Sequence, residues 1–135
     1  MAEEATVAVV KAELDRFNSA LRNRDATLAQ GFHRTAIFLG SEPGELALGN
    51  EAIARLFEAI MRSSSTVQFE WARIEARRAG RTTWFLADGE VCIAAPHGET
   101  RRPYSLTGVL ELGRAGWRWR LFHGSEPWIS PSPAP

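Results

Sequence analysis

Gly116-Trp117-Arg118-Trp119-Arg120-Leu121-Phe122-His123-Gly124-Ser125-Glu126-Pro127 is the stretch that decides how this chain folds. Its residues alternate. Trp117, Trp119, Leu121, His123 and Ser125 take one side; Arg118 and Arg120 take the other, together with Phe122. Period two is the signature of a strand with one buried and one wet face. A strand this aromatic, closing in His-Gly-Ser, predicts the wall of a pocket, with Trp119 and His123 turned towards it.

Three more strand-like runs precede it. Val67 to Arg78 turns at Ala79-Gly80, Thr82 to Ala94 turns at Pro96-His97-Gly98, and Arg101 to Leu112 turns at Gly113 to Gly116. Long strands joined by tight turns predict an antiparallel four-stranded meander. Asp88-Gly89 interrupts the second run and predicts a bulge that bends it.

Upstream the period is helical. Val7, Val10, Leu14, Phe17 and Leu21 make one apolar stripe of a first helix over residues 5–23. Asp25 is the expected N-cap of a short second helix holding Leu28 and stopped by Gly31. Ala36 to Leu39 reads as a short strand closed by a turn at Gly40 to Gly44. Asn50 is expected to cap a third helix whose stripe is Ile53, Leu56, Phe57, Ile60 and Met61. Helices first and one long curled sheet afterwards give an α+β layer design. A bent sheet around one long helix leaves a cone open at one end.

The bulk numbers narrow the choice of function. A chain of 135 residues, 44% hydrophobic, suits one domain with a core of its own. Sixteen basic residues balance sixteen acidic ones, so nucleic acid and anionic membrane are not expected partners. Cys92 is the single cysteine, which excludes an intramolecular disulfide and suits a reducing, cytoplasmic setting. His33, His97 and His123 have no metal-ligand spacing. There is no phosphate-cradling glycine loop, nucleophile elbow or nicotinamide fingerprint, so no metal and no cofactor are expected.

The order and residues together resemble the SnoaL-like, nuclear-transport-factor-like superfamily. The carriers are Phe17-Asn18-Ser19-Ala20-Leu21 with Arg24-Asp25, then Pro43-Gly44-Glu45 and Gly49-Asn50-Glu51-Ala52-Ile53. The last are Gly116 to Trp119 and His123 to Pro127. The resemblance implies a cystatin-like α+β barrel. In it a cone-shaped curved antiparallel sheet wraps a long N-terminal helix, with about three helices and a four-stranded meander plus a short early strand. It spans residues 1–127, leaving 128–135 as a proline-rich tail. It also implies a homodimer built on the outer sheet face, to which Phe122 is the one hint in the sequence. The superfamily hosts isomerases, cyclases, dehydratases and binding proteins, so fold alone does not give function. The ketosteroid-isomerase members' acid–base positions align with Phe17, Gly40 and Gly108. None of these carries a proton-transferring side chain, which argues against that mechanism.

The expected occupant of the cone is a small apolar or aromatic molecule. Its pocket is predicted from Phe17, Phe38, Trp71, Trp84, Tyr104, Trp119 and His123. Most aromatics at these spacings serve first as core. His123 is the leading candidate for proton transfer, because imidazole is the side chain suited to acid–base work near neutral pH. Its competing reading is an imidazole that merely closes the core. Glu90 and Asp88 are the candidate carboxylates. Simple alternation puts both beside Trp84 and Leu86, whereas a bulge at Gly89 sends Glu90 to the other face. The plainer reading of Glu90 is a rim carboxylate paired with Arg101 or Arg102. Two alternatives stand beside the binding protein: a cyclase, isomerase or dehydratase working by general acid–base catalysis, and an interaction module whose cone is filled by its own side chains.

Overall fold

The computed structural model describes residues 2–127; the expected tail at 128–135 lies outside them. Helix α1 (Ala2–Arg22) is followed by a 3-10 turn (Ala26–Gly31), then β1 (Phe32–Leu39), β2 (Leu46–Leu48) and α2 (Asn50–Met61). The meander is β3 (Thr66–Ala79), β4 (Thr82–Ala95), β5 (Gly98–Gly113) and β6 (Gly116–Ser125). Among the described residues, six strands form one curved, open sheet in the order β2-β1-β6-β5-β4-β3. The α+β cone expected from the sequence is present. Its one parallel junction joins β1 to β6; every other neighbour is antiparallel.

The helical stripe behaves as its period requires. Val10, Leu14, Phe17 and Leu21 are buried where α1 lies in the concave face. Phe17 is the hub of the core, with its ring 5.2–6.4 Å from those of Phe32, Phe57, Phe69, Trp119 and Phe122. Asp25 caps as expected, accepting from the Thr27 N–H at 2.9 Å, but the turn it starts is 3-10 rather than α. Asn50 does not cap α2. It is the first helical residue, and Gly49 at φ 88° is the cap, without a side-chain hydrogen bond. Position 49 calls for glycine, because left-handed backbone is costly for residues with a Cβ.

Two irregularities set which residues face inward. The first lies opposite the site the sequence suggests. Strand β4 runs unbroken through Asp88-Gly89, and the extra residue is Ala72 on β3, between Trp71 (opposite Gly89) and Arg73 (opposite Asp88). The Gly89 Cα packs so tightly on β3 that a Cβ there would sit 1.9 Å from the Glu70 carbonyl oxygen. The second is in β6. Trp119 pairs with Leu110 and Leu121 with Val109, which leaves Arg120 as the extra residue. A bulge adds one residue and inverts the facing of everything after it. Trp119 is inward and 2% exposed; three residues on, Phe122 is inward and 1% exposed. His123 is therefore exposed on the outside.

The edge strand β3 is held to α1 chiefly around Asn18. Asn18 Nδ2 donates to the Phe69 carbonyl at 2.7 Å, and the Phe69 N–H donates to Asn18 Oδ1 at 2.9 Å. Gln68 Nε2 returns a bond to the Asn18 carbonyl at 3.0 Å. Asn18→Ala leaves both backbone groups of a half-buried residue short of partners, so about 1–3 kcal/mol of stability is lost in urea denaturation. A cost below about 0.5 kcal/mol means that water replaces the amide freely.

Candidate functional site

The wide end of the cone holds a cavity of about 260 Å³. Its floor and walls are apolar: Phe17 and Leu21 of α1, Phe57 and Ile60 of α2, Phe38, Phe69 and Phe122 of the sheet. Phe38 and Phe122 stack with centroids 4.4 Å apart, a contact the β6 bulge makes possible. Most of the polar groups gather at one side, across from Ser63 and Ser65. Tyr104 comes from β5, Arg102 lies two residues earlier, and Ser41, Glu42 and Glu45 come from the turn between β1 and β2.

Each of these has a local reason for its place. Arg102, Tyr104 and Leu106 share the inner face by strand alternation. Tyr104 lies flat across β6, where Gly124 leaves room: a Cβ at 124 would be 1.7 Å from its Oη. The β1–β2 turn closes through the Gly40 N–H donating to the Glu45 carbonyl at 3.0 Å. It turns Glu45 back over Gly40, so that a Cβ at 40 would lie 2.3 Å from Glu45 Oε1. Glu45 Oε1 accepts the Glu42 N–H at 3.0 Å. Arg102 spans two carboxylates, with Nη2 3.4 Å from Glu42 Oε1 and the buried Nε 2.6 Å from Glu126 Oε1 in an ion-pair contact. Ser41 Oγ donates to Glu126 Oε2 at 3.0 Å. Opposite the turn, Arg24 donates to the Ser63 carbonyl at 2.9 Å and also to that of Met61. This pins the loop after α2 that forms the other lip.

Burial raises the Glu45 pKa above its ordinary value. The bond from the Glu42 N–H opposes the rise, and the Glu42 and Glu126 charges add to it. Burial also pushes the Tyr104 phenol well above its usual range; Glu45 and Glu126 push the same way and the adjacent Ser41 hydroxyl opposes. Tyr104 is thus a fixed donor at neutral pH. Glu45 is a carboxyl that can hold or release a proton.

A stability test follows from the sign of that shift. The unfolded carboxyl titrates near 4.5 and the folded one higher. Between those values the folded state keeps a proton that the unfolded state has lost, so stability falls as pH rises through the window. Glu45→Gln flattens this part of the pH–stability curve and is the more stable form above it. Glu13, which burial also raises, adds a slope of the same sign that the variant keeps. Denaturation midpoints between pH 4 and 7 read the difference; identical profiles would place Glu45 in full solvent contact.

The predicted pocket residues separate into three groups. Phe17, Phe38 and Tyr104 line the cavity. Trp71 is on the inner face, 6.3 Å from the Tyr104 ring but off the lining, and Trp119 is sealed in the core below it. Trp84, Asp88, Glu90 and His123 are corrections, because all four lie on the outer face. Trp84 is 45% exposed. Asp88 accepts from Ser105 Oγ at 2.8 Å. Glu90 stays in phase with Asp88 because the bulge is on β3, and it sits 3.7 Å from Arg101, matching the plainer reading of it. His123 is turned out by the Arg120 bulge. Phe122, expected outside, is core.

The sequence reading missed Glu45, Ser41, Glu126 and the inward role of Arg102. A turn glycine followed five residues later by a carboxylate was the available signal for Glu45.

A sequence profile of the SnoaL-like domain matches residues 10–129. The chain belongs to the SnoaL-like family. No curated protein matches it. Solved structures similar to this SnoaL-like protein include a candidate dehydratase of the NTF2-like family from Streptomyces avermitilis, 15% identical with a TM-score of 0.83, covering 94% of this chain and 99% of that one. A protein from Catenulispora acidiphila, in complex with S-DNPA, is 19% identical with a TM-score of 0.78 and coverages of 91% and 94%. An NTF2-like protein with a cystatin-like fold from Novosphingobium aromaticivorans is 16% identical with a TM-score of 0.73 and coverages of 90% and 82%. At such identities the likeness is one of fold. Among the described residues no helix is long and apolar enough to cross a membrane, and no three His, Cys, Asp or Glu side chains are placed to hold a metal ion together.

Proposed function

We propose that this SnoaL-like protein binds a small apolar or aromatic molecule in the wide end of its cone, without a cofactor. The observation that carries this reading is the cavity of about 260 Å³, apolar over most of its wall, with Tyr104, Ser41 and Glu45 converging on one side. Few polar groups in an apolar cleft are the ordinary composition of a ligand site, and the volume suits a molecule of about one ring and a short chain. The test is native mass spectrometry of small molecules carried through purification, followed by amide chemical-shift mapping of the bound species. Perturbations at Phe69, Tyr104 and Phe122 support the reading. Perturbations confined to the outer face at Trp84 and His123 overturn it and leave an interaction module.

One observation favours an enzyme as the second reading. The family resemblance puts a base on residue 40, which here is glycine, yet the Glu45 carboxyl occupies the space a side chain at 40 would enter. Glu45 would then take a proton while Tyr104 donates to the oxygen that gains charge. This replaces His123, Asp88 and Glu90 as the acid–base set.

The homodimer also gains a new basis once Phe122 is removed from the argument. Strand register puts Trp84, Val109, Leu121, Ile37 and Leu48 in one row across five strands of the outer face, and Leu86, Thr107, His123, Leu39 and Leu46 in the next. Leu46 and Leu48 are 59% and 66% exposed. Contiguous apolar surface of this kind marks an interface, and we assign it to a second copy of the chain. Sedimentation at micromolar concentration should show a dimer that Leu48→Glu dissociates.

A further inference from the structure

We infer that the ligand carries an ammonium head on its apolar body, a class set by the cavity's own charges; the inference rests on the binding-protein reading above. Two carboxylates, Glu42 and Glu45, line the polar side of the cavity with one guanidinium, Arg102, and a third, Glu126, stands behind it, bound to Ser41 and Arg102. Arg102 is already committed to Glu42 and Glu126. Glu45 has no cationic partner among the described residues, and it accepts a hydrogen bond from the Glu42 N–H. A ligand anion would meet these charges at close range, and the one cation lining this side, Arg102, is already paired. A neutral ligand would leave the Glu45 carboxyl as costly to ionise as it is without a ligand.

A second observation points the same way. Six aromatic rings also line the wall, Phe17, Phe38, Phe57, Phe69, Tyr104 and Phe122, among aliphatic side chains and Ser63 and Ser65. Ring faces attract cations electrostatically, and more strongly where water is excluded. Carboxylates on one side and aromatic rings among the remaining walls make a chamber for an organic cation. The desolvation that raises the Glu45 pKa is the cost that a bound ammonium offsets. Hydroxyls of Ser41 and Tyr104 lie beside Glu45 and can take part in orienting the head.

The experiment titrates the labelled full-length chain with three matched probes, 3-phenylpropylamine, 3-phenylpropanol and 3-phenylpropionate, and follows amide shifts at Phe69, Tyr104 and Phe122. The expected order is amine, then alcohol, then carboxylate, with the amine about 10-fold tighter than the alcohol. Glu45→Gln keeps the acceptor for the Glu42 N–H. It should lower the amine's affinity about 10-fold, well beyond any change in the alcohol's, so that the preference for the amine disappears. Raising salt from 50 to 500 mM should weaken the amine alone, a measurement that needs no variant. If the alcohol binds as tightly as the amine, or the carboxylate more tightly, the ammonium class is overturned while the cavity stands as a binding site. If no probe moves those amides, both the class and the underlying reading fall.

Discussion

Trp119→Ala lowers the free energy of unfolding by about 3–5 kcal/mol, the cost of emptying a large buried aromatic site that its neighbours cannot collapse to fill. The ring is 2% exposed. It stacks on Phe32 at 5.7 Å and meets Phe17, Phe85 and Phe122 at 5.3–6.1 Å. These neighbours belong to α1, β1, β4 and β6, so no single segment can shift to close the void. Arg118→Ala, one residue away and exposed, costs under about 1 kcal/mol. Urea denaturation of the pair ranks them. Equal costs would place the Trp119 ring in a site that relaxes, and the reverse order would mean a different β6 register.

Gly124→Ala has the largest expected effect on the cavity itself. The added methyl would fall 1.7 Å from Tyr104 Oη and 2.5 Å from its Cζ, so the phenol must leave its place or β6 must part from β5. Overpacking of this kind costs about 1–3 kcal/mol, and the displaced Tyr104 no longer presents its hydroxyl to a ligand. Both losses should appear together, in denaturation and in probe titration. A double-mutant cycle isolates the cause: in a Tyr104→Ala background, Gly124→Ala adds almost nothing to the stability cost. Simple additivity would show that the clash is relieved elsewhere and that Gly124 is not what positions Tyr104.

The helices and the meander were legible because their periods differ, and the change near Thr66 marks where one gives way to the other. Phe17, Phe38 and Tyr104 were legible as cavity residues for the same reason, since each sits in phase with its element's buried stripe. Strand β6 could be read as far as Trp119 and no farther. Its bulge at Arg120 arises from how β6 pairs with β5, a partner that parity along one strand does not include. The warning was Phe122, an apolar ring on the side that strict alternation assigns to arginines. The error over Asp88-Gly89 has a similar source. The glycine reflects the close approach of β3, and the extra residue it accommodates belongs to the neighbour. Glu45 was hidden differently. A turn residue reaches the cavity only because the chain folds back over Gly40, and neither its period nor its type announces that. Strand β2, three residues long, is too short to show a period at all.

Asn18 has one further consequence, for the behaviour of the protein in concentrated solution. Among the described residues strand β3 is one of the sheet's two edges and, at 14 residues, a long border on which another chain could add itself. Such borders are where aggregation and fibre growth begin. By holding both backbone groups of Phe69, the amide of α1 takes the place of the missing neighbour at the most apolar part of that border. Farther along, Arg73, Glu75, Arg77 and Arg78 crowd the strand with charge. Asn18 therefore also acts as a stopper, closing the sheet to growth where its sequence is stickiest.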